Sequence, residues 1–191
     1  MFRDLDDSLK KLLEAELLGV LSDSVTVVFD TPDDKFNPPN QRTVNFFLYD
    51  IQENRDLRNN EWFIRRQPNG VVQKNLPPVR VDCSYMVTAW SGDAESEHSL
   101  LGEVMKVLLR HPTLPDSVLT GSLAGQEPPL PTSALQPAKL QSLGEFWQAL
   151  GGKPKAALHY TVTIGVNPFV PVEARLATEH QITIASRLQE D

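Results

Sequence analysis

The sequence of 191 residues contains one cysteine, which excludes a disulfide within the chain and any cysteine-rich metal site. No run reaches the roughly eighteen apolar residues that a membrane-crossing helix needs. The opening Met-Phe-Arg-Asp-Leu-Asp-Asp-Ser-Leu-Lys-Lys lacks the apolar core of a secretory signal, so synthesis and assembly are expected in the cytoplasm, without direct membrane insertion. Bases are outnumbered: 18 Lys and Arg face 25 Asp and Glu, for a net charge of −7. Such a balance repels duplex nucleic acid and anionic lipid surfaces, and no nucleic-acid partner is expected.

Chemical signatures are equally scarce. There is no Gly-x-Gly-x-x-Gly, no Walker A loop and no His-Glu-x-x-His, and Gly121-Ser-Leu-Ala-Gly125 has its serine in the wrong place for a nucleophile elbow. His98, His111, His159 and His180 share no metal-ligand spacing. Asp30, Asp33 and Asp34 lack the pattern of a calcium loop. Cys83 would need His159 or His180 brought near by strand pairing to act as a thiol hydrolase. A cysteine in mid-strand, facing the same way as Val81 and Tyr85, reads more simply as a buried small hydrophobe. The sequence makes no positive case for an enzyme, a cofactor or a metal, and it shows no internal repeat.

What is present is strong patterning. Leu76–Ser91 begins with two prolines and then runs on without proline or glycine. Val79, Val81, Cys83, Tyr85, Val87 and Ala89 alternate with polar residues, Met86 and Trp90, which predicts a long half-buried strand of about 40 Å. A helix follows over 95–110, with Pro112 ending it and His111 near the negative end of its dipole. Its apolar face is expected to include Met105 and Leu109 as core residues.

Upstream, Leu5, Leu9, Leu12, Leu13 and Leu17 mark one stripe of a helix expected to be capped by Asp4 and stopped by Gly19. Strands are predicted over 24–29 and 43–51, the second apolar on both faces and therefore an inner strand covered by helices. Segments 61–67 and 70–74 flank Gln-Pro-Asn-Gly, the signature of a hairpin closed by Asn69-Gly70. The proline-rich stretch 112–137 is expected to be a surface loop, with a turn of helix near 116–119. A third helix is predicted over 138–150 and two closing strands over 156–166 and 179–188. The sum is one α+β domain over residues 1–191, with a mainly antiparallel or mixed sheet of about five or six strands packed by about three helices.

Several words, in order, carry a resemblance: Tyr49-Asp-Ile-Gln-Glu-Asn-Arg-Asp-Leu-Arg58, Pro77-Pro-Val-Arg-Val-Asp-Cys-Ser-Tyr-Met-Val-Thr-Ala-Trp-Ser91, Glu97-His-Ser-Leu-Leu-Gly102 and Leu109-Arg-His-Pro112. They resemble the N-terminal domain of the cap, or tube-and-sheath terminator, proteins of phage-tail-like contractile injection systems. Members of that family often continue into a second, C-terminal domain. The resemblance implies a tail-terminator-like fold and a structural, non-enzymatic role. It also implies a homo-hexameric ring at the end of the tube distal to the baseplate, in contact with the inner tube protein and the sheath protein. A monomeric adaptor is the alternative of a different class. Candidate interface residues are the charges Asp50, Glu53, Arg55, Asp56 and Arg58, the hairpin residues Trp62, Arg65 and Arg66, and Gln181, Thr183 and Arg187 of the last predicted strand. The hairpin and the last strand are the candidates for pairing with a sheath strand.

Overall fold

The computed structural model describes residues 1–19, 21, 24–38, 42–66, 72–136, 143–170 and 172–174. These divide into two compact units, the first Met1–Arg58 with Val79–Val166, the second Asn59–Pro78 with Asn167–Asp191.

The first unit is built on a five-stranded mixed sheet in the order β1-β2-β5-β7-β6, from β1 (Thr26–Val28), β2 (Thr43–Glu53), β5 (Val79–Trp90), β6 (Thr132–Ala134) and β7 (Ala157–Val166). Only the β1–β2 pair is parallel. The predicted long strand is β5, and it lies at the centre between β2 and β7. Helices α1 (Phe2–Leu17) and α2 (Ala94–Arg110) cover one face. The five predicted leucines of α1 are all buried there, with Cys83, Tyr85, Val87 and Ala89 of β5 and Tyr160, Val162 and Ile164 of β7.

The second face is covered as well. Helix α3 (Leu143–Ala149) brings Phe146 against Phe47 and Tyr49, with ring centroids 6.2 and 5.9 Å apart. The expectation of an inner strand apolar on both faces is thus met by β2. Strand β5, expected to be half-buried, is closed on both sides instead: Arg80, Ser84, Met86 and Thr88 are buried as well. Arg80 donates a hydrogen bond from Nη2 to the Pro129 carbonyl, and burial lowers its pKa.

Other details depart from the sequence reading. Helix α1 begins at Phe2 with Met1 as its N-cap, so Asp4 sits inside the first turn and its carboxylate is used elsewhere. Gly19 does not take a left-handed conformation; the turn continues, and the Leu21 amide donates to the Leu17 carbonyl. In α2, Asp93 is the N-cap, accepting from the Ser96 amide, while Leu109 is exposed and Met105 only half-buried, because the apolar face is narrower than the run of leucines implies. The stretch expected to wander over the surface supplies Leu114, Val118, Leu119, Leu123 and Leu130 to the core. The expected turn near 116–119 is present as amide bonds from Val118 to the Pro115 carbonyl and from Leu119 to the Asp116 carbonyl, and a 3-10 turn follows at Gly121–Leu123. A bulge in β2 between Leu48 and Asp50 shifts the register and sets Ile51 opposite Cys83 rather than on the side of Phe47 and Tyr49.

The second unit holds a three-stranded antiparallel sheet in the order β3-β4-β8, from β3 (Phe63–Arg66), β4 (Val72–Asn75) and β8 (Val172–Ala174). The hairpin pairing matches the prediction, with Phe63 opposite Asn75 and Arg66 opposite Val72. Its Asn69-Gly70 turn, the start of the third predicted helix and the predicted strand 179–188 lie outside the described residues.

Candidate functional site

Two exposed surfaces, one in each unit, contain the described candidate residues. In the first unit, β2 runs on to Glu53 and passes at Asn54 into a 3-10 turn, Arg55–Leu57. Asn54 is the organising residue: its side-chain oxygen caps the turn by accepting from the Leu57 amide at 3.1 Å, and its side-chain amide donates to Asp82 at 3.0 Å. Asp82 also accepts from Thr163 Oγ1 at 2.7 Å, so β5 and β7 anchor the turn. Gln52, Glu53, Asn54, Arg55, Asp56 and Asp82 line a groove along this rim, three carboxylates to one guanidinium. Arg58 pairs with Glu53 at 3.4 Å; Asp50 lies at the bulge, opposite Ser84. Flanking the charges, Ile51 is 46% exposed and Leu57 48%.

Sequence reasoning singled out the charges and passed over Asn54, Asp82, Ile51 and Leu57. The signal for Asn54 was available, since asparagine before a short helical turn is a capping residue. Asp82 carried no such signal, because its role depends on strand pairing.

In the second unit, Trp62, Phe63 and Ile64 are exposed, with Arg65 beside them. Cross-strand register puts Ile64, Lys74 and Val172 in one row, and Val172 is exposed too. Among the described residues, strand β3 is an edge of its three-stranded sheet. For Arg66 the structure gives the strand position alone, and Gln181, Thr183 and Arg187 lie outside the described residues.

Of the residues weighed for catalysis, Cys83 and His159 are not brought together. Cys83 is fully buried on the helix-covered face, and burial pushes its thiol up to about 12, so the thiolate is suppressed at neutral pH. His159 pairs in register with Met86, on the opposite face of the sheet, where its ring meets Tyr49. His180 lies outside the described residues. Among the described residues no group of three or more His, Cys, Asp or Glu side chains could hold a metal ion, and no helix is long and apolar enough to cross a membrane. In the native chain Cys83 is expected to resist iodoacetamide at pH 8 and to react fully once the chain is unfolded in urea; rapid native alkylation, read by intact mass, would reopen the thiol-enzyme reading.

Among the described residues the candidate positions lie on exposed surfaces. Residues 4–172 match the family model of the Pvc16 N-terminal domain. No curated protein matches significantly. Among solved structures, the sheath/tube terminator of PVC, an extracellular contractile injection system, in its extended state, is 25% identical with a TM-score of 0.73, over 100% of this chain and 65% of that one. The tube-terminating cap of the anti-feeding prophage is 26% identical with a TM-score of 0.66, over 96% of this chain and 62% of that one. This chain therefore spans less than two thirds of either relative's length, and the expected tail-terminator-like fold is the one found. With most of its length matched by that model, the chain belongs to the Pvc16 N-terminal domain family.

Proposed function

We propose that the chain is a structural cap that terminates the inner tube and the sheath of a contractile injection particle, without catalysis. The observation that carries this reading is the fold similarity over the whole chain to a sheath/tube terminator. The physical task suits a rigid scaffold with two kinds of surface. A polymerising tube ends in a heterologous interface that would accept another subunit. A terminator must match that end on one side and offer no equivalent on the other. In this reading six copies form the ring, and both units of residues 1–191 act together as one cap domain. The tube protein and the sheath protein are its partners. The charged rim at Asp50–Arg58 meets a neighbouring subunit, where charges set register more than affinity. Sheath attachment falls to the stretch 179–188, on its sequence pattern, by strand addition to an open sheet edge.

Electron microscopy of particles from cells lacking the protein, beside a complemented control, tests the reading. Tubes of irregular length, or sheaths detached at the end distal to the baseplate, are expected. Uniform particles with an intact distal end would overturn it.

A further inference from the structure

Among its described residues, the second unit buries little apolar surface. Its described strands have four, four and three residues, and Val72 is the only large apolar side chain among the described residues of that unit that is fully buried. By contrast Trp62, Ile64 and Val172 are 53%, 55% and 53% exposed. Three short strands need a covered apolar face to be stable. Exposed apolar side chains concentrated on so small a sheet mark a surface that another molecule covers.

Charge identifies the occupant. Residues 61–74 carry Arg65, Arg66 and Lys74 against the single acid Glu61, in a chain of net charge −7. The exposed Lys74 lies in register between Ile64 and Val172, so this patch is apolar with a cation at its centre. The rim of the first unit has the reciprocal make-up: exposed Ile51 and Leu57 border a groove lined by Glu53, Asp56 and Asp82 with Arg55, and Arg58 pairs with Glu53. Each patch lies exposed in the single chain, and each supplies what the other lacks. We propose that the β3–β4 hairpin of one copy docks on the Ile51–Leu57 rim of a second copy, Trp62 and Ile64 covering Ile51 and Leu57 while Lys74 meets Asp56. Because the two patches differ, the contact is heterologous and repeats from copy to copy, the geometry from which a closed ring is made. The inference rests on the reading of the chain as a ring-forming cap and assigns the hairpin to the neighbouring subunit rather than to the sheath.

Sedimentation velocity of the full chain over a concentration series provides the test. Lys74→Glu and Asp56→Lys, both at exposed positions, are each expected to weaken self-association about tenfold or more at low salt, as like charges then face each other. An equimolar mixture of the two variants is expected to recover it. In alternating order, the new glutamate of one variant meets the new lysine of the other, and the remaining junctions are native. Unchanged thermal unfolding of each variant separates this from a folding defect. Three results would overturn the proposal: a wild-type chain that stays monomeric at about 0.1 mM, variants that associate like wild type, or a mixture that does not recover. Irregular particles after deletion, together with a Lys74→Glu chain that associates normally, would leave the cap reading standing and remove only this docking surface. Uniform particles after deletion would remove the cap reading whatever the sedimentation shows.

Discussion

Phe46→Ala should lower the stability of the chain by about 3–5 kcal/mol, measured as a fall in the urea midpoint without a change in slope. Phe46 is fully buried in the middle of β2, on the face covered by α1 and α2. Its ring lies 5.9 Å from Phe29, just past β1, and 6.0 Å from Tyr85 of β5 and 6.3 Å from Tyr160 of β7, so two neighbouring strands and the segment after β1 depend on it for contact. The two tyrosines are direct cross-strand partners on β5 and β7, and the Tyr85 hydroxyl donates to Asp6 of α1 at 2.9 Å. The two tyrosines cannot close over the space that a lost phenyl leaves, because strand pairing holds both and a hydrogen bond also holds Tyr85. Phe47→Ala, one residue along and only half-buried beneath α3, should cost clearly less. Equal losses from the two substitutions would mean that the α3 side is as tightly packed as the α1–α2 side.

How much could be read beforehand follows from the range of the interactions involved. The leucine stripe of α1 and the alternation of β5 are local periodicities, and each named its buried face correctly. The hairpin was legible for the same reason, through the turn residues between two short apolar runs. Burial of β5 on its second face was not legible, since Arg80, Ser84 and Thr88 read as solvent-facing. Their cover comes from residues far along the chain: the Pro129 carbonyl receives Arg80, and Ser84 lies 3.4 Å from Thr161, hydroxyl to hydroxyl. In the stretch 112–137 proline density does not mark exposure. Its leucines at 114, 119, 123 and 130 and Val118 are spaced by turns rather than by a helical or strand period, so no periodic signal could reveal them. At the rim the charges were visible, but the bulge after Leu48 decides which way they point. A bulge is a property of the pair of strands, not of one.

The same dependence on distant partners sets the second large effect. Gly121→Ala is expected to cost about 2–3 kcal/mol, although residue 121 lies on an exposed turn. Its φ of +54° is a left-handed conformation that a side chain disfavours. An added Cβ would also lie 2.5 Å from the Asp4 carboxylate carbon. That carboxylate cannot simply swing aside, because Oδ2 accepts from the Ser122 amide at 3.0 Å and from the Ser122 hydroxyl at 2.6 Å. The chain's ammonium terminus lies 3.0 Å away on the same oxygen. Thr120 completes the clamp by donating its hydroxyl to the Asp4 carbonyl at 3.0 Å. Backbone strain and lost hydrogen bonds therefore act together in the single variant, and only the strain survives in the Asp4→Ala background. The effect of Gly121→Ala should accordingly be smaller there, a non-additivity that equilibrium unfolding of the four proteins of the cycle measures directly. The bonds from Ser122 hold the Asp4 carboxyl well below its ordinary value of 3.8. A carboxyl depressed on folding adds stability above its unfolded pKa and loses it as the pH falls, so Asp4→Asn should flatten the acid side of the stability profile below about pH 4. Asp6 acts with the opposite sign: burial raises its pKa, so its contribution declines as the pH climbs above the ordinary carboxylate value. Strictly additive costs for Gly121→Ala and Asp4→Ala, with an unchanged acid slope for Asp4→Asn, would mean that the turn is held by its own backbone and not by the first helix.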